Sequence, residues 1–173
     1  VFLAIENPSA SNNLGDILRT AAAYAVVEVL LVGYGRCAMH GSHGAAKYVT
    51  TAHFSDWPSA IANLRNERKC EVIALLPKRP EVGAASDGSH GGAEAATPPH
   101  FAVYTRPFSG DTALLLFHGG QPPLDVLRLC DTAVYVEQAT SLVRLPLPIV
   151  AAVALHHFTA WAQYGEVRFS LCF

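Results

Sequence analysis

Short apolar, β-branched runs recur along the chain with helix-patterned stretches between them, and this alternation constrains the fold more than any other feature. Val1–Ile5 (VFLAI), Val26–Val32 (VVEVLLV), Glu71–Leu76 (EVIALL), Ala113–Phe117 (ALLLF) and Ala133–Val136 read as strands, with a further short one near Phe101–Tyr104. Runs apolar on both alternating positions are the signature of strands buried on both faces. Between them, Ile17, Leu18, Ala21, Ala22 and Ala25 fall on one helical face, with Asn12 or Asn13 available as N-cap. Trp57, Ile61 and Leu64 share a face of a second helix over residues 56–68. Leu124–Cys130 reads as a third helix, and an apolar helix from about Ile149 to Gln163 follows two prolines that pre-set its entry. The expected class is α/β, a mostly parallel sheet flanked by helices.

At 173 residues the chain is the size of one domain. Residues 81–100, rich in Gly, Ala, Ser and Pro, have almost nothing to bury and read as a flexible insertion in that domain. No charge-free run of about 18 apolar residues occurs, so no membrane span is expected. The formal charge of −2 supplies no global basic field, so nucleic-acid binding would rest on local Lys and Arg. Lys47, Arg65, Arg68, Lys69, Lys78, Arg79 and Arg106 are the candidates; taken singly, such residues are solvated surface charges. Cys37, Cys70, Cys130 and Cys172 form no CxxC pair and read as free thiols of an intracellular, reducing compartment, cytoplasmic or organellar. The eight histidines show no ligand spacing, so no metal is expected. The chain opens at Val1 within an apolar run, without Met or charged leader, and reads as trimmed.

Two motifs compete for the functional reading. Gly33-Tyr34-Gly35-Arg36-Cys37-Ala38 satisfies G-x-G-x-x-A after a strand, with Asp56 about 20 residues on, the form of a dinucleotide fingerprint. The helix that fingerprint needs should open at once, yet His40–Gly44 brings more glycines and turn chemistry. Asp87, Ser89 and His90 sit in the insertion and belong to no nucleophile elbow.

The other motif is longer. Asn7-Pro8, then Asn13-Leu14-Gly15 and Arg19-Thr20 opening a helix, then a strand ending in Gly33, is similar to the first motif of the SpoU/TrmH (SPOUT) RNA methyltransferases. Ser42-His43-Gly44-Ala45-Ala46 resembles the small-residue segment after the second strand of that family. Residues 113–131, ALLLFHGGQPPLDVLRLCD, resemble its second motif at Phe117, Leu124, Cys130 and Asp131. Here His118, Gly120 and Pro123 replace a Gly, a Glu and a Gly of the family pattern. In the third motif Val136, Glu137 and Gln138 fall on I-P-M and Leu145 falls on the Leu of S-L-N, while Arg144, Pro146 and Pro148 replace Ser, Asn and Ser.

The resemblance implies a C-terminal trefoil knot, an exception to the rule that chains do not knot. It implies S-adenosylmethionine as cofactor, bound through knot-loop backbone at Phe117, His118, Gly119, Gly120, Val136, Gln138 and Leu145. Arg19 and Asn13 are the implied catalytic residues, and Asn13, Arg19 and Thr20 the implied RNA contacts. The expected activity is ribose 2'-O-methylation of tRNA or rRNA by a homodimer paired through its terminal helices. Loss of the Glu, Asn and Ser positions motivates the alternative, a catalytically inactive member that binds RNA or serves ribosome assembly.

Overall fold

The computed structural model describes residues 1–7, 14–34, 41–79, 97–140 and 143–165. Among these, seven strands form one sheet: β1 (Phe2–Asn7), β2 (Glu28–Gly33), β3 (Thr50–Phe54), β4 (Glu71–Leu76), β5 (His100–Ala102), β6 (Thr112–Leu116) and β7 (Thr132–Tyr135). Their order is β3-β2-β1-β6-β4-β7-β5, and every neighbouring pair is parallel. Among the described residues four helices pack on it: α1 (Leu14–Ala23), α2 (Trp57–Asn66), α3 (Leu124–Leu127) and α4 (Leu147–Trp161).

The period-2 geometry of a strand sends alternate side chains to opposite faces, and the two cores follow it residue by residue. Leu3, Ile5, Ile73, Leu75, Leu114 and Leu116 join Leu14, Ile17 and Leu18 of α1 and Val150, Leu155 and Phe158 of α4 on one face. Ala4, Leu30, Val72, Ala74, Leu115 and Phe117 join Trp57, Ile61 and Leu64 of α2 and Val126 of α3 on the other. The expected mostly parallel, helix-covered sheet is therefore present.

Several boundaries differ from the sequence reading, each for a local reason. β3 has no apolar run; Thr50, Thr51 and His53 are exposed. It lies at the sheet edge, where one neighbour suffices and β-branched Thr supplies the propensity. The expected helix 124–130 closes after one turn, because Leu129 N–H and Cys130 N–H bond the carbonyls of Val126 and Leu127 three residues back, a 3-10 tightening. α4 starts two residues early: Pro148 sits in its first turn, where a missing N–H costs no helix bond. The strand expected at 101–104 ends at Ala102 and passes into a 3-10 turn, Val103–Thr105. The expected caps Asn12 and Asn13 and residues 81–96 of the insertion expected at 81–100 lie outside the described residues, while its last residue, His100, begins β5.

Candidate functional site

In open parallel α/β sheets, ligands bind outside the carboxyl ends of the strands. The C-terminal ends of β1, β6 and β4 converge here on a cleft of about 230 Å³. β1 contributes Ile5, Glu6 and Asn7; α1 contributes Leu14 and Ile17. Pro77, just past β4, and Phe117–Gly120, just past β6, form the second wall. Residues 144–147, leading into α4, close the third.

Residues 117–120 take a tight turn that the sequence specifies locally. Gly119 and Gly120 have φ of +80° and +83°, a region that favours glycine, and Gly120 N–H donates to the Phe117 carbonyl at 3.0 Å. The Phe117 ring is fully buried against Trp57, centroids 4.7 Å apart, which fixes the base of the turn to α2. A Cβ at Gly120 would lie 2.8 Å from Pro77 Cγ, so this backbone approaches Pro77 as only glycine permits. At Gly119 an added Cβ would meet nothing within 4 Å.

Two charged side chains grip this turn. Glu6 Oε2 accepts from His118 N–H at 2.7 Å. Arg144 Nη1 donates to the Gly119 carbonyl at 2.6 Å. Beside them, Asn7 is buried and pins the end of β1: its Nδ2 donates to the Tyr34 carbonyl at 2.6 Å, and its own carbonyl accepts from Tyr34 N–H at 2.7 Å. His53 Nε2 lies 2.7 Å from the Gly33 carbonyl, tying β3 to the same rim.

The expected cofactor residues divide between two cavities. Phe117, His118, Gly119, Gly120 and Leu145 line the cleft. Val136 and Gln138 line a second, wider hollow of about 550 Å³, with Tyr104, Val153 and His157. Gln138 joins the two, since its Nε2 donates to the carbonyl of Pro77 at 2.7 Å. Burial, and then the neighbouring charges of His156 and Arg106, hold the His157 imidazole below its ordinary pKa.

Arg19 lies on α1, exposed, and lines neither cavity. At about 100° per residue it sits roughly 200° around the helix from Ile17, which faces the cleft. Thr20 is half-buried, and its hydroxyl donates to the Asp16 carbonyl at 2.9 Å. Asn13 lies outside the described residues. Of the candidate basic residues, Arg65 pairs with Asp131 at 2.5 Å and Arg68 with Glu28 at 2.7 Å, so both are engaged in holding the fold. Asp56, the acid of the dinucleotide reading, is the N-cap of α2: its Oδ1 accepts from Ser59 N–H at 2.9 Å. Cys70 and Cys130 are free and buried. Among the described residues no cluster of His, Cys, Asp and Glu could hold a metal ion, and no helix is long and apolar enough to cross a membrane.

Glu6 and Arg144 are the cleft residues that motif reasoning passed over. Glu6 directly follows the strand expected at Val1–Ile5, and a carboxylate ending an otherwise buried strand is a readable signal. Arg144 stands at a position read for the residue it replaces. Nothing local announces that either meets the 117–120 turn.

A doubly covered parallel sheet with a glycine turn and a loop-to-helix junction facing each other across the strand ends defines an α/β domain with a cleft at its strand ends. The chain belongs to the SpoU rRNA methylase family, whose model matches residues 1–91. The whole fold is similar to solved structures. The SpoU methyltransferase AviRb from Streptomyces viridochromogenes, in complex with AdoMet, superposes with a TM-score of 0.73 at 16% identity, over 96% of this chain and 59% of that one. An RNA 2'-O ribose methyltransferase gives 0.70 at 16% identity, over 95% and 57%. The TrmH/SpoU tRNA modifying enzyme of A. aeolicus gives 0.69 at 13%, over 94% and 75%. The chain thus spans less than two thirds of the first two. A sequence comparison with curated proteins gives no match.

Proposed function

We propose that the protein transfers a methyl group from S-adenosylmethionine to a ribose 2'-OH of structured tRNA or rRNA. The observation that carries this reading is the cleft at the ends of β1, β6 and β4, walled by the Phe117–Gly120 turn in a chain of this family. The residues present fit the cofactor. Ile5, Leu14, Ile17 and Leu147 offer apolar wall, Gly119 offers backbone bare of side chain, and Glu6 and Arg144 offer opposite charges. The volume is below the roughly 300–1,000 Å³ of pockets that enclose a drug-sized ligand, so the cleft would hold part of the molecule, and Val136 and Gln138 are the residues that would hold the rest. When bound, the cofactor supplies an electrophilic methyl group on a positively charged sulfur.

The chain's own part is to hold the acceptor and ease loss of its proton. Exposed Arg19 is suited to fork onto an RNA phosphate. A guanidinium with pKa above about 12 is a poor base alone, so phosphate contact is part of its role in deprotonating the 2'-OH. Thr20, next to Arg19 on α1, and Asn13, just before the helix in sequence, complete the RNA contacts of this reading. The same reading includes a trefoil knot formed by the segments after β6 and β7, and a homodimer through the terminal helices, where exposed Ile149 and partly buried Val153 and Trp161 of α4 supply apolar surface. One folding unit spans residues 1–173. The free thiols of Cys70 and Cys130 suit a reducing, intracellular compartment.

A second reading has its own observation. Arg19 lines neither cavity, and Gly120, Pro146 and Pro148 leave the loops short of polar side chains, which favours an RNA-binding or assembly protein without transferase activity. Label transfer from the methyl donor to RNA separates the two. Wild type is expected to transfer label and Arg19→Ala to lose about two orders of magnitude, the scale of one acid-base contribution. Cofactor binding without any transfer to total RNA would decide for the second reading.

A further inference from the structure

The cleft is lined by one carboxylate, Glu6, and one guanidinium, Arg144. Opposite charges facing one small cavity ordinarily neutralise each other, yet these two do not approach to ion-pair distance; the pairs among the described residues are Arg65–Asp131 and Arg68–Glu28. Each is anchored instead to the backbone of the same turn, Glu6 to the N–H of His118 and Arg144 to the carbonyl of Gly119. The anchor points belong to adjacent residues, whose Cα atoms are about 3.8 Å apart, so the two charges are held along one stretch of wall.

Both groups keep bonding capacity. Glu6 uses Oε2 on His118, and a carboxylate accepts about four hydrogen bonds in all. Arg144 gives one N–H to Gly119, out of the five or so a guanidinium carries. Between them the turn shows bare backbone, because Gly119 has no side chain and open space where one would be. A fixed acceptor charge, a fixed donor charge and an unobstructed gap make a receptor for a ligand end that carries an ammonium and a carboxylate together.

We propose that Glu6 and Arg144 form a zwitterion clamp that takes the α-amino-acid end of the methyl donor, Glu6 receiving the α-ammonium and Arg144 the α-carboxylate. This rests on the methyl-transfer reading above and adds what the site selects: a nucleoside thioether that carries an amino acid, over one that lacks it. It also gives Arg144 a task at a position where the family pattern has Ser.

Calorimetry with two probes tests the clamp: S-adenosylhomocysteine, which carries the amino-acid end, and 5'-methylthioadenosine, which does not. Wild type is expected to bind the first more tightly by about 10- to 100-fold, the scale of one to two charge-assisted hydrogen bonds. Glu6→Gln keeps an acceptor for His118 N–H and so preserves the turn while removing charge. Arg144→Gln is about two bonds shorter and removes both the charge and the bond to the Gly119 carbonyl, so the 5'-methylthioadenosine affinity reads whether the turn survives. Each is expected to cut the preference by about tenfold and to leave 5'-methylthioadenosine affinity unchanged. Equal loss for both probes would overturn the clamp and make the two residues supports of the turn alone. An unchanged preference would also overturn it. Failure of wild type to bind either probe would sink the methyl-transfer reading itself, and the clamp with it.

Discussion

Replacing Gly120 by Ala probes the geometry of the cleft most directly. With φ of +83°, an L residue there pays a conformational cost of roughly 1–2 kcal/mol. The new methyl would lie 2.8 Å from Pro77 Cγ, where carbon atoms rest at about 3.5–4.0 Å, so the turn or the proline must give way by about 1 Å. Overpacking on that scale costs about 1–3 kcal/mol, and both Gly120 and Pro77 are buried with little room to yield. Gly119 supplies the control: its φ of +80° carries the same conformational cost, but an added Cβ meets nothing within 4 Å. In equilibrium urea unfolding, Gly120→Ala is therefore expected to lose about 1–3 kcal/mol more than Gly119→Ala, the overpacking share alone. Pro77→Ala removes Cγ and leaves a Cβ 3.6 Å from the new methyl, an ordinary contact. The double variant should recover part of the loss, with a coupling above about 0.5 kcal/mol. Equal destabilisation at 119 and 120, or strictly additive effects of Gly120→Ala and Pro77→Ala, would refute the close packing of this turn on Pro77.

Two further outcomes follow from burial and capping. Burial pushes the Cys130 thiol up to about 12, outweighing the nearby Arg65 charge, so it stays protonated in the folded protein and should resist alkylation at pH 9 until urea opens the chain. The sign of the linkage is that the unfolded thiol ionises first: this contribution to stability is intact below about pH 9 and is lost as pH rises toward 12, read as a falling urea midpoint that Cys130→Ala does not share. Bonds from the Ser59 backbone and from Ser55 lower the Asp56 pKa below its ordinary 3.8, so its cap stabilises the fold above that value and is lost as pH falls through the lowered one. Asp56→Ala is expected to lower the unfolding midpoint at pH 7 and to flatten its acid dependence, while Asp56→Asn retains most of the midpoint.

How far the sequence speaks depends on the range of the physics involved. Apolar runs and helical spacing act over a few residues, and they located β1, β2, β4, β6, β7 and the helices to within a few positions. β3 escaped because an edge strand needs no buried run: TTAHF exposes three of its five residues. Helix 124–130 was overread because the 3-10 closure after Leu127 depends on hydrogen-bond geometry that periodicity does not carry. Asp56 matched a spacing and turned out to cap a helix, since a spacing of 20 residues says nothing about what the carboxylate meets.

The chain by itself determined that there is a parallel, doubly covered sheet, which residues alternate between its two cores, and the family that its first motif announces. Tertiary structure alone decided the strand order that sets β1 between β2 and β6 and β4 between β6 and β7. That order brings Glu6 onto His118, 112 residues away, and Arg144 onto Gly119. The reason is physical: a strand's pattern states that both faces must be buried, but which neighbours bury them is settled only when all the faces compete for one core. The cleft and its two opposed charges exist only after that competition is over.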